Sequence, residues 1–303
     1  MSEISPMTMI NDSHCHFFSS TFLEKLAPNG GGAAALAGRL GWDAPGSAAQ
    51  LAARWVAELD RHRVARAALM ASIPGDEAAV AEAVARHPAR FVGFFMVNPL
   101  APGADAALAR AFSEQRLRMA CLFPAMHGYR LDDERVERVF ASAREHAGGV
   151  FAHCGVLTVG VRKKLGLPSR FDFRLGDPLA LARVALGFPE VPVIIPHFGA
   201  GFLREALMAA DQCPTIHLDT SSSNSWTKFH PGLTLDAVMR QALTVAGIDR
   251  VLFGTDSSFF PRGWQRDVFE SQQRVLETLG VSAADQDRIF AGNFDRLFPE
   301  VTA

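Results

Sequence analysis

The sequence predicts an α/β fold, a single-domain (β/α)8 TIM barrel spanning residues 1–303. Short apolar runs of strand length alternate with helical patterns along most of the chain, and such alternation is typical of a parallel sheet. Eight of these units can be traced, which is the number that closes a barrel. The alternative is an open, doubly wound sheet, but no Gly-x-Gly-x-x-Gly motif follows the first strand.

The predicted strands are short segments rich in apolar residues. They cover about 9–18, 64–70, 91–97, 118–123, 149–153, 191–197, 215–219 and 251–256. Helical patterns separate them, the first beginning near Ala49 and the later ones covering about 76–87, 105–115, 132–147, 178–188, 202–212, 233–245, 265–279 and 283–290. Residues 19–48 show no helical pattern, and an irregular loop of that length is usually a lid or an insertion.

The composition excludes several classes of function. A formal net charge of −2 gives no basic excess for nucleic acid, and no segment approaches the ~18 apolar residues of a membrane span. The four cysteines show neither a disulfide framework nor a Cys-x-x-Cys zinc motif, and the first residues do not resemble a signal peptide. We therefore expect a cytoplasmic protein that binds neither nucleic acid nor a membrane.

The first predicted strand carries a His-x-His motif. Because side chains alternate along a strand, His14 and His16 point to one face while Cys15 points to the other. Two imidazoles on one face can chelate a divalent ion if other elements supply further ligands. The alternative is a pair of hydrogen-bonded core histidines.

Three further residues close predicted strands. His153 ends the fifth strand, His197 the sixth and Asp256 the eighth. Taken singly, each histidine is more often a core residue, and the aspartate is often a helix N-cap. In a closed barrel, however, all of them meet the His-x-His motif at the C-terminal edge, where barrel enzymes build their active sites.

These residues resemble the amidohydrolase superfamily. The fit is closest to its amidohydrolase-2 branch, which includes α-amino-β-carboxymuconate-ε-semialdehyde decarboxylase and related lactone hydrolases. The segments Pro-His-Phe-Gly-Ala-Gly (196–201), Phe-Gly-Thr-Asp (253–256) and the closing Gly-Asn at 292–293 are similar to recurring segments of that branch. The resemblance extends over about 9–298, which is essentially the whole chain.

The resemblance implies a metal centre and, more loosely, a homodimer. Its ligands for one divalent ion, zinc or another first-row ion such as manganese, would be His14, His16, His153 and Asp256. His197 would lie just outside this set and touch the water that the ion activates. Binuclear relatives carry a lysine on strand four, which is absent here, so a mononuclear site is expected. Asp12, on the same strand face, would buttress a ligand histidine.

The loops suggest a small anionic substrate. The segment 155–176 contains five basic residues against one acid, although a solvated charged loop is an equal alternative. We predict substrate contacts from Arg130, Arg174 and Trp226, the last as a stacking surface unless it only packs on the barrel rim.

The favoured function is a metal-dependent hydrolase of a carboxylate-bearing lactone, ester or amide. His197 and Asp256 would be catalytic, with Asp256 accepting the proton of water. The alternatives are a non-oxidative decarboxylase of an aromatic or muconate-type acid and a non-catalytic metal-binding barrel.

Overall fold

Nine parallel strands, counted over the part of the chain that the structure describes, curve into a TIM-barrel-like sheet. The computed structural model describes residues 9–221, 224–258 and 263–300. The strands are β1 (Ile10–Phe17), β2 (Val64–Ala71), β3 (Phe91–Val97), β4 (Met119–Leu122), β5 (Gly149–Ala152), β6 (Val193–Ile195), β7 (Ile216–Asp219), β8 (Val251–Leu252) and β9 (Ser257–Ser258). From β1 to β8 each strand pairs with the next in sequence, as the alternating pattern predicts.

The expected eighth strand is observed as two short strands. β8 pairs with β7, whereas β9 pairs with β1, so residues 251–258 bridge the first and seventh strands. The Ser13 amide donates to the Phe253 carbonyl at 2.9 Å, which adds to this closure. The strand is interrupted because Asp256 has a φ of 58°, in the left-handed region, which an extended ladder cannot accommodate.

Helices connect the strands. They span Ala48–His62, Glu77–Arg86, Ala104–Ser113, Pro124–His127, Glu134–Glu145, Gly160–Lys164, Pro178–Ala185, Leu203–Gln212, Leu235–Ala246, Arg266–Thr278, Ala283–Asp287 and Asn293–Leu297, with short 3-10 or π turns between some of them. Over the described residues, no helix has the length and apolar character needed to cross a membrane.

The expectation of an irregular loop over 19–48 is wrong. Two helices, Ser20–Leu26 and Ala33–Leu40, occupy much of it. The Ser19 hydroxyl accepts from the Phe22 amide at 2.9 Å and caps the first helix, while Gly41, with a φ of 69°, ends the second. Both helices are too short for a periodic pattern to be recognised, and the three glycines between them look like a loop.

The apolar residues form two groups, one between the strands and the helices and one inside the barrel. Cys15 belongs to the outer group, as its predicted orientation requires. Phe94, Phe151 and Phe298 belong to the inner group. The Phe151 ring meets the His14 ring edge-on, with centroids 5.0 Å apart, so apolar packing forms the floor beneath the histidines.

Candidate metal centre and active-site cavity

All five strand-end residues reach one cavity. His14, His16, His153, His197 and Asp256 line a space of about 530 Å³. The first two lie in β1, His153 follows β5, His197 follows β6, and Asp256 lies between β8 and β9. A cavity of this size suits a small organic molecule.

The polar atoms at the bottom of the cavity are close enough to share one ion. His14, His197 and Asp256 each offer a ligand atom within 4.8 Å of the others. The Asp256 Oδ1 atom lies 2.9 Å from His16 Nε2 and 3.6 Å from His14 Nε2. The His153 ring centroid is 5.3 Å from that of His197. Imidazoles with one carboxylate form a donor set that suits zinc and similar ions.

Asp219 orients His14. The carboxylate Oδ2 accepts from His14 Nδ1 at 2.7 Å, and both side chains are fully buried. This contact fixes the proton on Nδ1 and leaves Nε2 free to bind an ion. Gly254 makes room for the pair, because a Cβ there would lie 2.5 Å from the Asp219 carboxylate. The sequence analysis assigned Asp219 no role. The signal was nevertheless present, because Asp219 closes a predicted strand in the same way as His197 and Asp256.

Hydroxyl groups orient two other histidines. The Ser221 Oγ atom lies 2.8 Å from His197 Nδ1 and 3.0 Å from His14 Nδ1. Ser72 Oγ lies 2.7 Å from His16 Nδ1. In contrast, His153 Nδ1 is buried with no hydrogen-bond partner in the described part of the chain. A buried, unpartnered imidazole nitrogen is costly unless a ligand satisfies it, which is consistent with a bound ion.

The pKa shifts at the site favour an ionised Asp256 and neutral imidazoles at His153 and His197, but not at His14. Burial would raise the pKa of Asp256, but the hydrogen bond from His16 and the neighbouring imidazoles hold it well below its usual range. Burial, followed by the neighbouring imidazoles, lowers the pKa of His153, and burial also lowers that of His197. The pKa of His14 is raised despite burial because Asp219 is adjacent.

Two of these residues have unusual backbone conformations. His197 and Asp256 have φ angles of 55° and 58°, in a backbone region that residues other than glycine seldom adopt. Such conformations persist only where surrounding structure enforces them, and they concentrate at functional sites.

Asp12 does not buttress a histidine ring. Its carboxylate accepts from the His14 amide at 2.9 Å, from the Thr255 hydroxyl at 2.5 Å and from Trp264 Nε1 at 2.7 Å. Asp12 therefore ties β1 to the segment that carries Asp256, and the buttressing role that we expected of it belongs to Asp219.

The cavity walls are mainly apolar. Phe18, Phe22, Trp42, Met96, Phe123, Met126, Leu157, Val159, Val161, Ala200, Trp226 and Phe229 contribute to them. Two of these side chains, Phe22 and Trp42, come from the segment 19–48. Trp226, which was predicted to bind substrate, is only 2% exposed. Among the described residues, two lysines also line the cavity, Lys164 and Lys228.

The two predicted arginines lie elsewhere. Arg130 and Arg174 are not among the lining residues. Each forms a two-pronged ion pair with an aspartate two positions away, Arg130 with Asp132 and Arg174 with Asp172. These are local contacts at the surface, so the structure does not bring either arginine to the cavity.

Solved structures share this fold. A 5-carboxyvanillate decarboxylase from Sphingomonas paucimobilis is 14% identical, with a TM-score of 0.64 over 97% of this chain and 100% of that one. An amidohydrolase from Burkholderia multivorans with bound zinc is 16% identical, with a TM-score of 0.66 over 97% and 100%. A probable 2-pyrone-4,6-dicarboxylic acid hydrolase from Acinetobacter baumannii is 15% identical, with a TM-score of 0.60 over 96% and 99%.

Sequence comparison identifies the family. No curated protein matches the chain significantly. The Amidohydro_2 family model, described as amidohydrolase, matches residues 12–299 and so includes every strand-end residue of the cavity. The chain belongs to this amidohydrolase family.

Proposed function

We propose that the protein is a metal-dependent hydrolase of a small carboxylate-bearing lactone, ester or amide. The observation that carries this proposal is the Asp256 carboxylate, whose pKa lies below its usual range, in contact with His16, beside His14 and His197, at the bottom of an apolar cavity. A carboxylate in this state can accept a proton from water, as hydrolysis requires.

The residues present fit one divalent ion. His14, His16, His153 and Asp256 would hold it, with zinc the first choice and manganese the next. When bound, the ion would polarise a substrate oxygen and lower the pKa of water. The unpartnered His153 Nδ1 and the Nε2 of His14, left free by Asp219, support this assignment.

Asp256 and His197 are the proposed catalytic residues. Asp256 would take a proton from the attacking water and return it to the leaving group. His197 would donate to the substrate oxygen that gains negative charge, with Ser221 fixing the orientation of its ring. Trp226 would contact the substrate. Lys164 and Lys228 replace Arg130 and Arg174 as its anion-binding partners, because these lysines line the cavity and the two arginines do not.

Decarboxylation of an aromatic or muconate-type acid is the second candidate. The aromatic wall of the cavity favours it. That reaction would use the same cavity residues, with Asp256 delivering a proton to carbon. The hydrolase is preferred because the family model that matches the chain is described as amidohydrolase. A non-catalytic metal-binding barrel is the third candidate.

The test is mass spectrometry of metal-loaded protein incubated with carboxylated lactones, esters and amides, and with hydroxybenzoate- and muconate-type acids. We expect a product heavier by one water, and no product from Asp256→Asn. A product lighter by carbon dioxide would replace the proposal with the second candidate. Bound metal without turnover of any compound would favour the third.

Two further assignments belong to this proposal. Cys15, Cys121, Cys154 and Cys213 are buried as free thiols, which supports a reducing, cytoplasmic setting. The homodimer implied by the family resemblance remains a prediction for light scattering to test.

A further inference from the structure

The lysines and the histidines of the cavity lie at different depths. Lys164 and Lys228 are exposed, so they lie where the cavity opens to solvent. His14 and His153, by contrast, are 2% and 6% exposed. Positive charge is therefore concentrated at the mouth, and the reacting groups are at the bottom.

The two lysines have no acidic partner in the described ranges. The ion pairs of the described residues involve arginine or histidine, and the described carboxylate that lines the cavity is Asp256 at the bottom. Lys228 instead places Nζ 5.1 Å from the centroid of the Phe229 ring, which lies at the same opening. Two cations without a neighbouring carboxylate attract an anion from solvent.

An aromatic ladder lies next to the histidines. The Phe18 ring is nearly parallel to those of Phe22 and Trp42, with centroids 4.3 and 6.0 Å away and interplanar angles of 8° and 7°. It also lies 5.5 Å from the His16 ring. Flat aromatic faces pack best against another flat, unsaturated group.

We infer that the substrate of the proposed hydrolase is an elongated monoanion that enters with its reactive carbonyl first. A flat, unsaturated middle section packs against the aromatic ladder of Phe18, Phe22 and Trp42. The acidic group stays at the mouth, between Lys164 and Lys228. This inference rests on the proposed function for the identity of the reacting group, but the binding orientation can be measured independently.

The opposite orientation would place the carboxylate against the histidines. The Asp256 carboxylate already lies there, 2.9 Å from His16 Nε2, so a second carboxylate at the bottom would be placed beside another acidic group unless an ion intervened. The two orientations therefore differ in what binding depends on. If the substrate carboxylate lies at the mouth, binding depends on the two lysines. If it lies at the bottom, binding depends on the metal ion.

Calorimetric titration of metal-loaded protein with cinnamate tests the orientation. Cinnamamide is the uncharged control ligand, and hexanoate is the flexible one. Lys164→Gln and Lys228→Gln should each weaken cinnamate binding about two- to fivefold and leave cinnamamide unchanged, as befits partly exposed ion pairs. Lys163→Gln, a neighbouring exposed lysine that does not line the cavity, should have no effect.

The aromatic ladder has its own readout. Trp42→Leu should weaken cinnamate more than hexanoate, because only the former loses a stacking partner. Phe173→Leu, at an exposed aromatic outside the cavity, serves as its control. Equal losses for the two ligands would overturn the role of the ladder.

The inference fails if both lysine variants bind cinnamate as the wild type does. It also fails if removing the metal with a chelator abolishes cinnamate binding, which would place the carboxylate at the bottom. Failure of the proposed function looks different: the substrate panel would show no hydrolysis even though cinnamate binding still responded to the lysines.

Discussion

Replacing Asp219 by asparagine should weaken metal binding at the candidate centre without changing a predicted ligand. The two carboxylate oxygens have different partners: Oδ2 accepts from His14 Nδ1 at 2.7 Å, and Oδ1 accepts from the Ser221 amide at 2.6 Å. Both partners are donors in a dry environment. Asparagine keeps one acceptor and turns the other position into a donor, so one of these contacts becomes repulsive.

The size of the effect follows from those contacts. Losing a charge-assisted hydrogen bond and leaving a buried donor unsatisfied costs about 1.5–3 kcal/mol of folding free energy. Without the carboxylate, His14 can also adopt the other tautomer, which places a proton on Nε2 and blocks it as a ligand. Loss of such a supporting contact typically lowers metal affinity about 10- to 100-fold.

Two measurements check this prediction. Competition with a chromogenic chelator gives the zinc affinity of Asp219→Asn, and urea unfolding gives its stability. Asp249→Asn is the matched control, since that carboxylate is exposed and pairs with Arg288 at the surface. Zinc affinity equal to that of the wild type, in a folded Asp219→Asn protein, would refute the proposed role of Asp219.

Two further predictions concern stability. Ala147 follows a helix with a φ of 50°, so Ala147→Gly should raise the free energy of unfolding by about 0.5–1 kcal/mol in urea titrations, whereas Ala109→Gly inside a helix should lower it by a similar amount. Burial raises the pKa of Asp76 to about 7, above its unfolded value, so the folded state holds an extra proton between about pH 4 and 7. The wild type should therefore lose stability relative to Asp76→Asn by about 1.4 kcal/mol per pH unit across that window, with a constant difference above it; a pH-independent difference would contradict this assignment.

The barrel and the strand-end residues were predictable because they depend on patterns that a sequence displays directly. Apolar runs of strand length fix the parallel sheet, and a polar residue at the end of such a run must lie at the C-terminal edge. His153 and His197 reach the cavity for this reason, without any information about their neighbours. The left-handed turn at Asp256 was not predictable, because non-glycine residues carry no local signal for it.

The contacts that orient those residues were harder to predict from the sequence. Asp12 was expected to contact a histidine because it lies on the same strand face. Its carboxylate instead accepts hydrogen bonds from Thr255 and from Trp264, which is 252 positions away. Arg174 looked like an anion site because it lies in a basic loop, yet Asp172 pairs with it locally. Charge density along a sequence does not show which side chains are already neutralised.

Asp219 shows how the two kinds of information combine. Its position at the end of β7 follows from the same strand pattern as that of Asp256, but the two acids differ in burial and in hydrogen bonding. Asp219 is fully buried, and its two oxygens accept from His14 Nδ1 and from the Ser221 amide, so it positions these two groups. Asp256 lines the cavity and keeps contact with solvent, so it can exchange a proton with a substrate. Strand ends thus select the candidates, whereas burial and hydrogen bonding distinguish the acid that supports His14 from the acid that remains open to the cavity.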